Sequence, residues 1–300
     1  MHVSSIICTR NRPDLIGAAL DSVLSNVYPS FDVVVVDQSD DDRTGEIVRS
    51  RTATHPNLKY VYSRTPGLSR AYNTGIRESR GDVLAFTDDD CIAPVDWIAS
   101  IVAAFQAEPD ADMLYGQVLR PAELASCPDH IPTLKIDRPR RFSRRDGFEV
   151  YGMGANFAAR RRLFDRIGGF DEMMGGGGPL KSSQDFDLQY RAYIAGSVVL
   201  LRPEVTIDHY GVRSNDQWPA TERAYGIGDG AFYSKHIRCG DLFALWLFIR
   251  RVSTMGIMDL GRWLLRRRGH GEYLRSCFRG IALGRQYSVD RRTRLYEMAA

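Results

Sequence analysis

The sequence has few cysteines, no long apolar run and no excess of charge of one sign. Its five cysteines are odd in number and form no C-x-x-C pair. This pattern indicates a reducing compartment and argues against a disulfide framework or a structural zinc site. No run of about 18 apolar residues occurs, and the N-terminus turns polar too early for a signal-peptide core. Lysine and arginine (40) nearly balance aspartate and glutamate (37), so no global field attracts nucleic acid. We expect a cytoplasmic protein that does not bind nucleic acid.

Two glycine motifs that hold phosphates are also missing. No G-x-G-x-x-G follows the first predicted strand, and no G-x-x-x-x-G-K-[ST] occurs in the chain. A bound nucleotide would therefore need another anchor for its phosphates. A divalent cation held by carboxylates is the natural substitute, because Mg²⁺ is usually bound by one or two carboxylates together with substrate phosphates.

Short apolar runs alternate with segments of helical period in the first part of the chain. The predicted strands cover residues 3–8, 31–36, 58–62 and the run that begins at Val83. Strands this apolar are typical of a mostly parallel sheet that is covered by helices on both faces. We therefore predict an α/β fold with a Rossmann-like sheet.

The strand that begins at Val83 ends in three consecutive carboxylates, Asp88, Asp89 and Asp90. Adjacent carboxylates repel one another, so the triplet indicates a bound cation or an unusual number of hydrogen-bond donors. The alternative is an exposed acidic turn, because aspartate is common in turns. The triplet alone leaves both interpretations open.

Polar clusters follow three of the predicted strands. They are Thr9-Arg10-Asn11, Asp37-Gln38-Ser39 and the acidic triplet. In an open α/β sheet the ligand lies beyond the carboxyl ends of the strands. Turn chemistry explains one such cluster more easily than three, so the pattern favours a shared binding pocket.

Two later segments carry further candidate groups. Ser182 and Ser183 precede a predicted helix with Asp185 and Asp187 in its first turn. These acids are explained by the helix dipole, or one of them serves as a general base. His209 ends a later strand and is either structural or a metal ligand.

The chain resembles the family 2 glycosyltransferases, which are inverting enzymes with the GT-A fold, over roughly residues 3–210. Each matching piece is short, but seven of them follow one another in the family's order. The pieces are Thr9-Arg10-Asn11-Arg12, Asp37-Gln38-Ser39-Asp40, Gly67 to Gly75, Asp88-Asp89-Asp90, Gly154-Ala155-Asn156, Gly168 to Glu172, and Gln184 to Leu188.

The resemblance implies sugar transfer from a nucleotide-diphosphate donor, most commonly a uridine diphosphate sugar, with Mg²⁺ or Mn²⁺ as the cofactor. The implied acceptor is a hydroxyl of a glycan or lipid-linked glycan, as in polysaccharide biosynthesis. Asp185 matches the family's catalytic base. Asp88 and Asp90 match the outer acids of its D-x-D motif, although three consecutive aspartates leave the register ambiguous by one residue.

Further roles follow from the same resemblance. Asp37 is expected to bind the nucleobase, and Asp90, Asp88 and His209 are the expected metal ligands. The other expected nucleotide contacts are Thr9, Arg10, Arg12, Ser39, Arg70, Asn73, Asp88 and Asp89. Asn156 and Gln184 are expected near the donor or acceptor sugar. Gln184 departs from the family, which usually has glutamate before the base, so one carboxylate fewer is expected there.

The chain is predicted to divide into a catalytic domain (1–215) and a C-terminal helical region (216–300). The nucleotide part is predicted at 1–118 and the acceptor part at 150–215. Leu242 to Ile249 is apolar but too short to span a bilayer, and arginines follow at 250–251 and 266–268. This pattern predicts a helix on the cytoplasmic face of an anionic membrane, or a subdomain that packs on the catalytic domain or a second subunit.

Two other functions stay open at this point. A sugar-nucleotide pyrophosphorylase shares the sheet and the metal, but it needs a glycine-rich first loop that Thr9 to Pro13 does not provide. A catalytically silent sugar-nucleotide-binding or scaffold protein is kept open by Gln184. The retained triplet and Asp185 argue against it.

Overall fold

The computed structural model describes residues 1–214, 216, 218–264 and 271–297, without the side chains of residues 258–264 and 271. The chain forms two compact units. The first comprises Met1–Pro66, Arg70–Gly169 and Leu188–Ser214, and the second comprises Gly67–Ser69, Phe170–Asp187 and Asn215–Ala300. The predicted division into a catalytic domain (1–215) and a C-terminal region (216–300) remains a prediction.

The strands of the first unit form one mixed sheet. They are β1 (Val3–Thr9), β2 (Phe31–Asp37), β3 (Leu58–Tyr62), β4 (Val83–Asp88), β5 (Cys91–Ile92), β6 (Ala111–Leu119), β7 (Arg140–Phe142), β8 (Asn156–Arg160) and β9 (Val198–His209). The order is β3-β2-β1-β4-β8-β6-β9-β5, with β7 on β9. The neighbours β3, β2, β1 and β4 are all parallel, as are β6 and β9, while β8 is antiparallel to both of its neighbours. The α/β class is confirmed.

Helices cover both faces of this sheet. They are α1 (Pro13–Leu24), α2 (Arg43–Thr52), α3 (Leu68–Glu78), α4 (Trp97–Ala107) and α5 (Arg161–Ile167). Helix α6 (Gln184–Ile194) begins in the second unit and ends in the first. Pro13 suits the first turn of α1, where a missing N–H costs nothing. On one face Ile7 packs in a cluster with Leu20 of α1 and Trp97 of α4. On the other face the ring of Phe86 contacts Tyr72 of α3 and Phe164 of α5.

The second unit is mainly helical, as predicted, and ends in a hairpin. It contains α7 (Trp218–Arg238), α8 (Leu242–Leu264), α9 (Gly271–Gly284) and the antiparallel strands β10 (Ser288–Asp290) and β11 (Leu295–Glu297). The backbones of α7 and α9 almost touch, because a Cβ at Gly230 would clash with the carbonyl oxygen of Cys277. Residues 266–268 of the predicted arginine cluster lie outside the described residues.

None of the described helices has both the length and the apolar character that crossing a bilayer requires.

Candidate active site

The carboxyl ends of β1 and β4 bring two of the predicted clusters together. These strands are parallel neighbours with Cys8 opposite Asp88. Thr9 Oγ1 therefore reaches Asp89, to which it donates a 2.7 Å hydrogen bond. Arg12, just before α1, places Nη1 2.8 Å from Asp89 Oδ1 and 2.9 Å from Asp90 Oδ2. The triplet is thus not an exposed acidic turn.

The end of β2 lies beside the same edge. Asp37 is buried, and its carboxylate accepts from the Ser39 N–H at 2.8 Å and the Tyr60 hydroxyl at 2.9 Å. Burial and this hydrogen bond to Asp37 raise the pKa of Tyr60, which keeps the phenol protonated as a donor. Each Asp37 oxygen retains one lone pair for a further donor, such as a nucleobase N–H.

Ser39 links the first two clusters. Its hydroxyl accepts from the backbone N–H of Asn11 at 2.8 Å. Arg10 is exposed and lies 3.4 Å from the carboxylate of Asp40. The loops after β1 and β2 are therefore joined by hydrogen bonds at the sheet edge where the triplet begins.

A candidate metal site is formed where the triplet runs into β5. This short strand pairs antiparallel with the end of β9, with Cys91 opposite His209. One donor atom from each of Asp88, Asp90, Cys91 and His209 lies within 4.8 Å of the others. His209 Nε2 is 3.4 Å from Asp90 Oδ1, and both side chains are buried. The predicted ligands Asp88, Asp90 and His209 are thus brought together from two strands.

Burial and mutual repulsion dominate the electrostatics of this cluster. Burial, together with the charges of Asp90 and Asp89, raises the pKa of Asp88 to about 7. Burial lowers the pKa of His209, so its imidazole stays neutral, the form that binds metals. Burial also raises the pKa of Cys91, so this thiol stays protonated and is a poor ligand.

The remaining ligands fit a hard divalent cation. Two carboxylates and a neutral imidazole suit Mg²⁺ or Mn²⁺. His209 Nδ1 is buried and has no hydrogen-bond partner among the described residues. Gly211 keeps the space beside the ligands open, because a Cβ there would lie 2.5 Å from Asp90 Oδ2 and 2.9 Å from His209 Nε2.

Helix α3 contributes further groups to the first unit. The Tyr72 hydroxyl donates to Asp88 Oδ1 at 3.3 Å. The side chain of Asn73 packs against Gly169. A Cβ at position 169 would clash with Oδ1 of Asn73. Arg70 is half-buried on the same helix. Tyr60, Tyr72, Cys91 and Gly211 were not predicted as site residues, although Cys91 directly follows the triplet.

Asn156 requires a correction. It is fully buried, and its Oδ1 accepts from the indole N–H of Trp97 at 3.0 Å. Its Nδ2 donates to the carbonyl oxygens of Gln117 and Val205 at 2.7 and 3.1 Å. Both amide hydrogens are used inside the sheet, so we replace the predicted sugar contact by a role in the core.

The candidate base lies in the second unit. Gln184 is the first residue of α6 and Asp185 is the second, and both side chains are half-buried. The Asp185 carboxylate accepts from the backbone N–H of Phe186 at 2.9 Å. An N–H at a helix start stabilises the ionised carboxylate, which is the form that a general base needs.

The sequence profile described as Glycosyl transferase family 2 matches residues 4–168, more than half of the chain. The chain belongs to this family. It is 27% identical over 204 residues to a probable glycosyltransferase, YdaM, of Bacillus subtilis, covering 65% of this chain and 47% of YdaM. It is 26% identical over 181 residues to a glucosyl-dolichyl phosphate glucuronosyltransferase of Haloferax volcanii, covering 58% of each. The chain thus spans about half the length of these curated relatives.

Solved structures of the same architecture agree with the GT-A fold. TarS 1–349 of S. aureus in complex with UDP has a TM-score of 0.57 at 20% identity, covering 76% of this chain and 65% of the 1–349 chain. The mannosyltransferase PcManGT of Pyrobaculum calidifontis, in complex with GDP-Man and Mn²⁺, has a TM-score of 0.60 at 19% identity. That match covers 95% of this chain and 86% of PcManGT. The predicted family and fold are confirmed.

Proposed function

We propose that this family 2 member is an inverting glycosyltransferase. It transfers a sugar from a nucleoside diphosphate donor, with uridine diphosphate as the first choice, to a hydroxyl of a glycan or lipid-linked glycan. The observation that carries the proposal is the cluster of Asp88, Asp90 and His209 at the strand ends. Support for the donor class comes from TarS solved with UDP-GlcNAc and from PcManGT solved with GDP-Man and Mn²⁺.

On the donor side, the first unit binds the nucleotide. Asp37 and Ser39 contact the base, Thr9, Arg10 and Arg12 border the nucleoside, and Asp89 holds Thr9 and Arg12 in place. Arg70 and Asn73 contact the diphosphate. Asp88, Asp90 and His209 would hold Mg²⁺ or Mn²⁺, which stabilises the negative charge that develops on the leaving diphosphate.

On the acceptor side, Asp185 is the general base. The acceptor oxygen forms its bond to the anomeric carbon as the bond from that carbon to the diphosphate breaks, and the hydroxyl proton passes to the Asp185 carboxylate. One displacement inverts the anomeric configuration and needs no protein nucleophile. Gln184 supplies an amide beside the base, where related enzymes usually have a carboxylate.

Calorimetric titration of uridine diphosphate tests the donor site. We expect binding by the wild type that depends on Mn²⁺, loss of this binding in Asp90→Ala, and normal binding in Asp137→Ala, an exposed control. Binding without metal would contradict the metal site. No binding of uridine, guanosine or thymidine diphosphate would contradict the transferase and favour the silent scaffold.

We also propose that α8 contacts an anionic membrane surface, which would suit a lipid-linked acceptor. Among the described side chains of α8, up to residue 257, the large exposed apolar ones lie on one side of the helix at helical spacing: Leu242, Leu245, Trp246, Ile249 and Ile257. Leu242 is 78% exposed and Ile257 72%. The Arg250 guanidinium lies 5.3 Å from the Trp246 ring, so a cation borders the apolar face. A helix of this kind lies in the membrane interface.

A further inference from the structure

We propose that α7 supports the turn that carries the candidate base, with Asp229 and Lys235 as positioning residues for Asp185. This inference rests on the proposed function, because it assigns a task to residues behind the base. All the contacts that carry it lie within the second unit.

Three contacts at helical spacing join α7 to the start of α6. The Ser183 hydroxyl donates to Asp229 Oδ1 at 2.7 Å. The rings of Phe186 and Phe232 lie 4.4 Å apart between centroids. Residues 229, 232 and 235–236 fall along one side of α7, because a helix repeats every 3.6 residues. One side of α7 thus contacts residues 183, 186 and 187.

The third contact is a buried cluster of charges. Lys235 Nζ lies 2.8 Å from Asp187 Oδ1 and 2.5 Å from Asp171 Oδ2. His236 Nε2 also lies 2.9 Å from Asp187 Oδ1. The four side chains are fully buried, so removing Lys235 leaves two carboxylates in the interior without the ammonium that pairs with both of them. Asp187 is therefore fixed firmly to α7.

These contacts leave Asp185 on the opposite side of the first turn. At 100° per residue, the direction midway between positions 186 and 187, which contact α7, lies about 150° around the helix from position 185. Phe232 and Lys235 therefore support the segment from the side away from Asp185, whose side chain is half-buried. This is the arrangement expected for a base that must meet an incoming hydroxyl at fixed geometry.

The backbone before α6 gives independent support. Lys181 and Ser183 have positive φ values of 69° and 67°, which are unfavourable for residues with a Cβ. Such conformations persist only where the surroundings hold them, and they are common at functional sites. Gly228 allows α7 to approach this backbone, because a Cβ there would lie 2.6 Å from the carbonyl carbon of Ser182. The same side of α7 thus contacts Ser183, one of the two residues with a positive φ.

The test compares Lys235→Met and Ser183→Gly with the wild type. Ser183→Gly removes the hydroxyl and tolerates the positive φ. We expect kcat for sugar transfer to fall about 10- to 100-fold in both variants. The donor KM should stay within about twofold, because the donor contacts are untouched. Asp229→Asn keeps an oxygen that accepts from Ser183 and should retain near-normal kcat, whereas Asp229→Leu should behave like Ser183→Gly.

Cys277→Ala is the matched control. Cys277 is buried in α9, and its backbone packs against Gly226 and Gly230 of α7. The Cys277→Ala variant should have a lower melting temperature than wild type, and the kcat of its folded form should be unchanged. Equal falls in kcat for this control and for Ser183→Gly would overturn the inference. If Lys235→Met does not fold, Ser183→Gly and the Asp229 pair decide the question.

Asp185→Asn separates this inference from the proposed function. Transfer at the wild-type rate in Asp185→Asn would overturn both, because no base would need positioning. Loss of transfer in Asp185→Asn together with normal kcat in Ser183→Gly and Asp229→Leu would overturn only the positioning role.

Discussion

His236 Nε2 and Asp187 Oδ1 lie 2.9 Å apart, and both side chains are fully buried. Arg294 Nη1 lies 3.5 Å from the other ring nitrogen of His236. A neutral imidazole that carries its proton on Nε2 satisfies both contacts, since it donates to Asp187 and accepts from Arg294. Burial lowers the pKa of His236 to about 4, in agreement with this tautomer.

This pKa makes stability depend on pH in a defined window. Between pH 6.5 and 4 the imidazole is protonated in the unfolded chain and neutral in the folded protein, so the free energy of unfolding falls as the pH falls. The contribution is on the order of 3 kcal/mol over the window. We expect urea titrations at several pH values to show this loss for the wild type and a smaller loss for His236→Gln. Parallel pH curves for the two proteins would contradict the assignment.

Asp88 should show the opposite behaviour without metal. Its pKa is raised from 3.8 to about 7, so the folded protein binds more protons than the unfolded chain in this range. The free energy of unfolding therefore decreases as the pH rises through the window. Asp88→Asn removes this penalty, and we expect it to be about 1–2 kcal/mol more stable than wild type at pH 8 in a chelator.

The same variant should lose Mn²⁺-dependent binding of uridine diphosphate, since it lacks one carboxylate ligand. Asp137→Asn serves as the exposed control and should change neither property. A variant that is less stable than wild type at pH 8 would show that Asp88 does not carry an unfavourable charge.

Gly211→Ala tests whether the space beside the metal ligands is needed. The added methyl group would lie 2.5 Å from Asp90 Oδ2 and 2.9 Å from His209 Nε2, so we expect Mn²⁺ affinity to fall by at least about tenfold. Gly256→Ala is the control, because nothing lies within 4 Å of a Cβ at this position in α8. The control should bind Mn²⁺ normally and be up to about 1 kcal/mol more stable. Unchanged Mn²⁺ affinity in Gly211→Ala would place the cation elsewhere.

The exposed face of α8 predicts binding to lipid vesicles. We expect co-sedimentation with vesicles that contain anionic lipid, weaker binding to neutral vesicles, and loss of binding in the double variant Trp246→Glu/Ile249→Glu. Val95→Glu/Val150→Glu changes two exposed apolar residues elsewhere and is the control. A dimer that dissociates in the α8 variant, without vesicle binding by the wild type, would identify the face as a subunit contact.

The sequence predicted the parallel half of the sheet, β3-β2-β1-β4, because its signals are local, whereas β6 and β8 were not predicted as strands. Apolar runs place β1, β2 and β4 within a residue of their observed ends, and the parallel register then brings Thr9 to Asp89. The polar strand ends therefore needed no tertiary information to be recognised as one edge.

Side-chain roles that depend on partners far away in the sequence could not be predicted from the sequence. Asn156 is a residue type common in binding sites, yet its side-chain amide forms hydrogen bonds with Trp97, Gln117 and Val205. Lys235 and His236 are residue types usually found on the surface of a helix, and their contacts with Asp171 and Asp187 make their burial favourable. Such pairs join residues 49 and 64 positions apart, beyond the reach of any periodic pattern.

The second unit can be completed only late in protein synthesis, because it includes the hairpin of β10 and β11. The backbone N–H of Tyr296 donates to the carboxylate of Asp171, 125 residues earlier. A nascent chain can pair β1 with β2 and β4 long before this contact exists, because those strands emerge first from the ribosome. The segment that carries Asp185 therefore waits for α7, and Asp171 waits in addition for residue 296. A stalled or prematurely terminated chain would keep the sheet edge that carries the acidic triplet and lack α7 behind Asp185.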